Sequence, residues 1–424
     1  MRGRGRRTSR TLASGRVALL FTFLLGLAPA TSPLQAQRPR AGDLGITPLI
    51  GGTPGALNAI TDVRGVEVGH STIIRGAAGP LVVGTGPVRT GVTMVHPRGR
   101  RSNDPVFGAW FTLNGNGEMT GTTWLEEGGI LEGPIGITNT NSVGMVRDGI
   151  LQWQVGMPGL QPWGLPVAAE TWDGALNDIN GFHVKPEHVR EALDGARDGR
   201  VTEGAVGGGT GMVCLGFKGG IGTASRKLPP ELGGYTIGVL VQCNFGLQRY
   251  LSIAGVPVGA EITDLASCTA GELPPVRNGE RPPVRCREGA VRDDAIEPRE
   301  LGSIIAVVAT DAPLLPHQLK RIATRVSLGI GRVGGYASNG SGDIFIAFST
   351  ANGNTAMAAD STSVTMLSNA RISSLFLATV QATEEAIVNA MLASDTMTGA
   401  DHFRVYGLPA NRVVDALRKY GRLK

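Results

Sequence analysis

Three observations predict an α/β fold with layered packing. Short apolar runs of strand length alternate with segments of helical periodicity along the chain beyond residue 40. The composition is rich in Val, Ile and Ala, with 63 glycines and only 5% aromatic residues, which suits closely packed layers. No linker separates two independent cores, although 424 residues exceed a typical single domain.

The elements follow in order. Ala41 to Gly69 is Gly/Pro-rich with one apolar element around Ile60 to Val68. Gly91 to Val95 and Val106 to Thr112 read as strands, the second running into a polar turn at Asn114 to Glu118. Ile135 to Thr138 is a further strand, and a helix is expected from Val143 to about Gln154. Pro186 to Asp194 has helical spacing, and Gly207 to Gly211 leads to a strand-like run at Met212 to Phe217. Tyr235 to Cys243 is the clearest β run before a Pro/Arg-rich stretch at Gly271 to Glu300. Ile304 to Ala309 then reads as a buried strand. Pro316 opens a helix with Leu319, Ile322, Ala323 and Val326 on one face and Gly329 as its C-cap. Ile344 to Phe348 is a second apolar strand, and Ile372, Leu375, Phe376, Val380, Ile387 and Met391 mark one face of a long helix.

Residues 1–36 stand outside this pattern. Arg2, Arg4, Arg6, Arg7, Arg10 and Arg16 precede the apolar stretch Val17 to Ala30, and Leu34-Gln35-Ala36 offers a cleavage site before Gln37. This reads as a secretory signal, too short to span a bilayer comfortably. It predicts a secreted or periplasmic protein with no membrane attachment after its removal. Without the six leader arginines the formal charge falls from +5 to −1, so the basic balance gives no ground for a nucleic-acid partner. Cys268 and Cys286 either close a loop worth about 3 kcal/mol or remain two surface thiols. Cys214 and Cys243 read as small core residues. No Cys/His spacing resembles a zinc site.

Familiar catalytic plans find little support. There is no Gly-x-Ser-x-Gly elbow and no phosphate-binding loop with its lysine, and the six histidines are scattered. Gly302-Ser303 is more informative, because it stands where the Pro/Arg-rich stretch gives way to a buried strand. Self-cleavage there would put a hydroxyl nucleophile and an α-amine on one residue. Ser341 and Asp343 lie two apart on a loop entering the next strand. They suit either a presented catalytic pair or a turn with Asp343 capping a backbone amide. Asn244, at its strand's end, is either an oxyanion donor or a turn residue.

Four segments together carry a resemblance: Gly207 to Gly211, Phe217 to Arg226, Gly302-Ser303-Ile304-Ile305 with Ala309 to Leu314, and Asn339 to Phe345. They resemble the self-processing L-aminopeptidase/D-Ala-esterase and β-peptidyl aminopeptidase family, and the similarity extends from Ala41 to the end. It implies an α-β-β-α sandwich like that of N-terminal-nucleophile hydrolases, differently connected. It further implies autocleavage into an α-chain (37–302) and a β-chain (303–424). Ser303 would be the nucleophile, polarised by Ser341 and Asp343, the latter one methylene shorter than the glutamate of some members. Asn244 matches the oxyanion-stabilising asparagine and Glu170 the acid that receives the substrate's ammonium. Trp172 stands where one branch has a tyrosine, and an indole can donate one hydrogen bond but cannot exchange its proton as acid or base. The implied substrate is a short peptide, amide or ester, the assembly a tetramer of αβ protomers, and no cofactor or metal is needed. Two alternatives stay open: acyl transfer of the ornithine-acetyltransferase type, which usually cuts before threonine, and a non-catalytic exported binding protein.

Overall fold

The computed structural model describes residues 38–157, 163–275, 283–286, 302–355 and 360–424. The leader and most of the Pro/Arg-rich stretch lie outside the described residues.

Two sheets form the centre. The first contains β1 (Glu67–Arg75), β2 (Val88–His96), β5 (Ile135–Asn139) and β6 (Val167–Thr171) in the order β1-β2-β5-β6. The second is ordered β4-β3-β10-β9-β8-β7, from β3 (Val106–Gly115), β4 (Ile130–Leu131), β7 (Gly220–Lys227), β8 (Thr236–Asn244), β9 (Ser303–Thr310) and β10 (Gly342–Ser349). Each sheet holds one parallel pair joined by a helical crossover. These are β5 and β6 through α1 (Val143–Val155), and β9 and β10 through α3 (Pro316–Arg332). The other long pairings are antiparallel.

Strand alternation sorts side chains into layers. In β9, Ile304, Ala306 and Val308 pack towards helices, whereas Ile305, Val307 and Ala309 pack between the sheets. The helix-side core is closed by α3 and by α4 (Ser373–Leu392). On the other sheet, α1 and α2 (Pro186–Gly195) close a third cluster around Val92, Met94, Ile150 and Val189. Three cores between four layers make the expected α-β-β-α sandwich. Both faces of the central strands are buried, which is why β9 and β10 read as unbroken apolar runs.

Several local readings need correction. Gly329 does not cap α3, which continues to Arg332. It lies inside the helix at the crossing with α4, where a Cβ would come within 2.6 Å of the Thr383 Cβ. The run Met212 to Phe217 is no single strand. Val213–Cys214 and Phe217–Lys218 pair as a minimal hairpin, turning through Leu215 at φ 47° and Gly216 at φ 76°. Cys214 and Cys243 are buried as read but are also bonded to each other, with Cα atoms 5.4 Å apart. Their separation of 29 residues hides this adjacency. Cys268 and Cys286 take the disulfide alternative, with Cα atoms 4.9 Å apart. Among the described residues no helix is long and apolar enough to cross a membrane.

Candidate active site

The topology brings the sequence-derived residues to one edge of the sandwich. Because β9 and β10 are parallel, Ser303 and Gly342 begin their strands side by side. Antiparallel β8 ends at the same edge, placing Asn244 directly opposite Ser303. Paired residues share a sheet face, so both side chains belong to the inter-sheet face. Glu170 and Trp172 arrive from the end of β6 in the other sheet. The sheets are bridged there by Gln242, which donates to the Thr138 carbonyl at 2.9 Å and the Thr171 hydroxyl at 2.8 Å.

Ser303 is 3% exposed, and its hydroxyl donates to the Gly302 carbonyl at 2.7 Å. The Gly342 N–H lies 3.1 Å from that carbonyl oxygen and 3.2 Å from the Ser303 Oγ. One backbone donor therefore touches both groups of the Gly302-Ser303 unit. Glycine is required at 302, where a Cβ would be driven into the Asn244 carbonyl and within 2.9 Å of the Phe245 Cα. Gly342 is equally constrained, since its Cβ position is filled by the backbone of Asn116 and Gly117. The Gly342 donor was not singled out in the sequence; its place between Ser341 and Asp343 was the only signal.

Ser341 and Asp343 flank Gly342, and both are buried. The Ser341 hydroxyl donates to Asp343 Oδ1 at 2.7 Å. With its proton so directed, the hydroxyl oxygen keeps lone pairs for an N–H donor. Asn244 is clamped at both ends: Oδ1 accepts from the Val213 N–H at 2.7 Å, and Nδ2 donates to the Trp172 carbonyl at 2.8 Å. One N–H of that amide is left for another acceptor.

Glu170 is buried, accepting from the Glu118 N–H at 3.0 Å and from the Thr140 hydroxyl. Burial raises its pKa above the ordinary glutamate value, against the pull of these two donors. A Cβ at Gly117 would lie 3.2 Å from Glu170 Oε1 and 3.1 Å from the Gly342 Cα, so one glycine connects Glu170 to the strand beside Ser303. Trp172 is 41% exposed at the rim, its indole packed over Gly174. A cavity of about 610 Å³ bounded by His96, Arg98, Trp153 and Trp163 contains none of these residues.

Comparison with known proteins identifies the family of the chain. The family model for peptidase family S58 matches residues 58–405. The chain is 51% identical to the beta-peptidyl aminopeptidase BapA of Sphingosinicella microcystinivorans, covering 92% of this chain and 94% of that protein. It is 45% identical to the beta-peptidyl aminopeptidase BapA of Sphingosinicella xenopeptidilytica, covering 97% and 98%. Among solved structures it matches the L-aminopeptidase D-Ala-esterase/amidase of Ochrobactrum anthropi, a variant of the Ntn-hydrolase fold. That match has a TM-score of 0.78 at 44% identity, covering 91% of this chain and all of that one. A Burkholderia beta-aminopeptidase matches with a TM-score of 0.76 at 44% identity, over 90% and 99%. A non-catalytic role is thereby set aside: the chain belongs to peptidase family S58 and is a hydrolase acting as an aminopeptidase.

Proposed function

We propose that this protein is an exported, self-processing serine aminopeptidase that removes N-terminal residues, β-amino acids foremost, from short peptides, amides and esters. The observation that carries the reading is the contact of the Ser303 hydroxyl and the Gly342 N–H with the carbonyl of Gly302. In the uncut chain, Ser303 Oγ attacks the Gly302 carbonyl carbon and the C–N bond breaks. The acyl group passes to oxygen as an ester, and the nitrogen takes up the proton lost by the hydroxyl to become an amine. The Gly342 N–H is placed to hold the developing oxyanion. Water then hydrolyses the ester, leaving a Gly302 carboxylate and a Ser303 α-amine.

That amine, with an ordinary pKa of about 7.7–8.0, can act as base for its own hydroxyl. Departure of Gly302 clears the position that its acyl group occupied, so a substrate acyl carbon enters the same geometry. Ser303 Oγ attacks it, the amine passes the proton to the leaving nitrogen, and water later releases the product by the reverse sequence. The Ser341–Asp343 pair orients the α-amine through the Ser341 oxygen, and Asn244 donates its remaining N–H to the oxyanion. Glu170 takes the substrate's ammonium, restricting action to unblocked termini. The β preference is supported by the 51% and 45% identity to beta-peptidyl aminopeptidases. Export is supported by the basic-then-apolar order of residues 1–36.

Ser303→Ala should accumulate as one uncut chain without activity, read by mass spectrometry and p-nitroanilide hydrolysis. The wild type should give a fragment beginning at Ser303 and hydrolyse β-residue p-nitroanilides faster than α- or D-residue ones. Normal processing of Ser303→Ala, or an active wild type left whole, defeats the nucleophile assignment. Product formed only with an added acceptor amine means acyl transfer instead.

A further inference from the structure

We propose that Lys218 is a positioning residue of the catalytic site, holding the Met212–Val213 peptide plane that orients the Asn244 amide. The inference rests on the oxyanion reading of Asn244 and extends it to the group that keeps this amide the right way round.

Lys218 is fully buried, and its Nζ donates to the carbonyls of Met212 at 2.8 Å, Gly219 at 2.7 Å and Gly209 at 3.4 Å. The Met212 carbonyl also accepts from the Gly219 N–H at 2.9 Å. On the other side of that peptide group, the Val213 N–H donates to Asn244 Oδ1. A single peptide plane thus joins the ammonium to the asparagine. Were it to turn over, a carbonyl would face Oδ1. The amide would then rotate to relieve the repulsion and present oxygen, not N–H, to the acyl group on Ser303. The Cys214–Cys243 bond ties the two strands together one residue further along on each. It constrains their separation rather than the orientation of the plane.

A purely space-filling role does not explain an ammonium here. Burying one carries a desolvation penalty, and an apolar side chain of similar length would fill the space without it. Burial lowers the Lys218 pKa to about 7, while the negative charge of Asp173 opposes the fall. Asp173 is itself buried, held by the Asn177 amide at 3.0 Å, and raised to about 6. It follows Trp172, whose carbonyl accepts from Asn244 Nδ2. Of the two peptide groups that clamp Asn244, one is held by Lys218 and the other adjoins Asp173, whose charge acts on Lys218.

The test is a double-mutant cycle on β-residue p-nitroanilides, with kcat expressed per cleaved chain. Lys218→Met should stay folded by circular dichroism, cut itself more slowly, and lose on the order of 10- to 100-fold in kcat, as expected for a misplaced group. Its KM should remain within about twofold, since substrate anchoring at Glu170 is untouched. Lys218→Gln, which keeps two N–H donors, should recover part of the loss and serves in its place if Lys218→Met does not fold. In an Asn244→Ala background, Lys218→Met should cost nothing further. Wild-type kcat in a folded Lys218 variant overturns the proposal, as do losses that multiply in the double variant. Wild-type kcat in Asn244→Ala alone overturns the oxyanion reading itself, and this inference with it.

Discussion

In the proposed reaction, Glu170 is the side chain that would set the requirement for an unblocked terminus. A carboxyl buried with one hydroxyl and one backbone N–H has spare acceptor capacity and little water to satisfy it. On the proposed function, an incoming substrate ammonium would supply the complementary charge. A hydrogen bond to a charged partner is worth about 1.5–3 kcal/mol, so Glu170→Gln should raise KM for unblocked substrates about 10- to 100-fold. The change in kcat should be smaller. The pH dependence has a definite sign. Because burial raises the Glu170 pKa, lowering pH protonates it sooner than an ordinary glutamate. KM should therefore rise on the acid side in wild type, and Glu170→Gln should flatten that limb. An unchanged KM in the variant across pH would return Glu170 to a structural role.

Among the elements, the β9-α3-β10 unit brings two segments of the site together. Its parallel pairing puts two strand starts, and hence Ser303 and Ser341, at one edge. The crossover helix must then lie tightly on its neighbour. Gly329 permits this, facing Thr383 of α4 with no room for a Cβ. Gly329→Leu should force the helices apart and destabilise the fold by about 1–3 kcal/mol, the usual cost of overpacking. Thermal unfolding should show a loss of several degrees. A variant melting with the wild type would mean that the helices do not meet as closely as described.

At the scale of the molecule, the proposed cut falls at the start of a fully buried central strand. β9 is paired along its length with β8 on one side and β10 on the other, and β10 in turn pairs with β3. Fragments 37–302 and 303–424 would therefore share one six-stranded sheet and two of the three cores. Cleavage should leave them associated: the two chains should elute together in native size-exclusion chromatography and separate only in denaturant. Separation in native buffer would contradict a single sheet built from both.

The amino-acid sequence alone determined the layered class, because strands buried on both faces leave continuous apolar runs such as Ile304 to Ala309, and helices leave a 3.6-residue stripe such as Leu319 to Val326. Motif resemblance also picked out Ser303, Ser341, Asp343, Asn244 and Glu170, which the fold gathers at one edge. Less could be read where the signal is a relation between distant segments. β1, β6 and β7 were missed as strands, since runs interrupted by Gly, Ser, Thr, His or Glu show no clear period until a partner covers them. The packing role of Gly329, the Cys214–Cys243 bond and the Gly342 donor depend on which backbones lie against each other. So does the link from Lys218 through one peptide plane to Asn244. Periodicity records only whether a position faces water or protein; the identity of the neighbour is fixed when the sheets close.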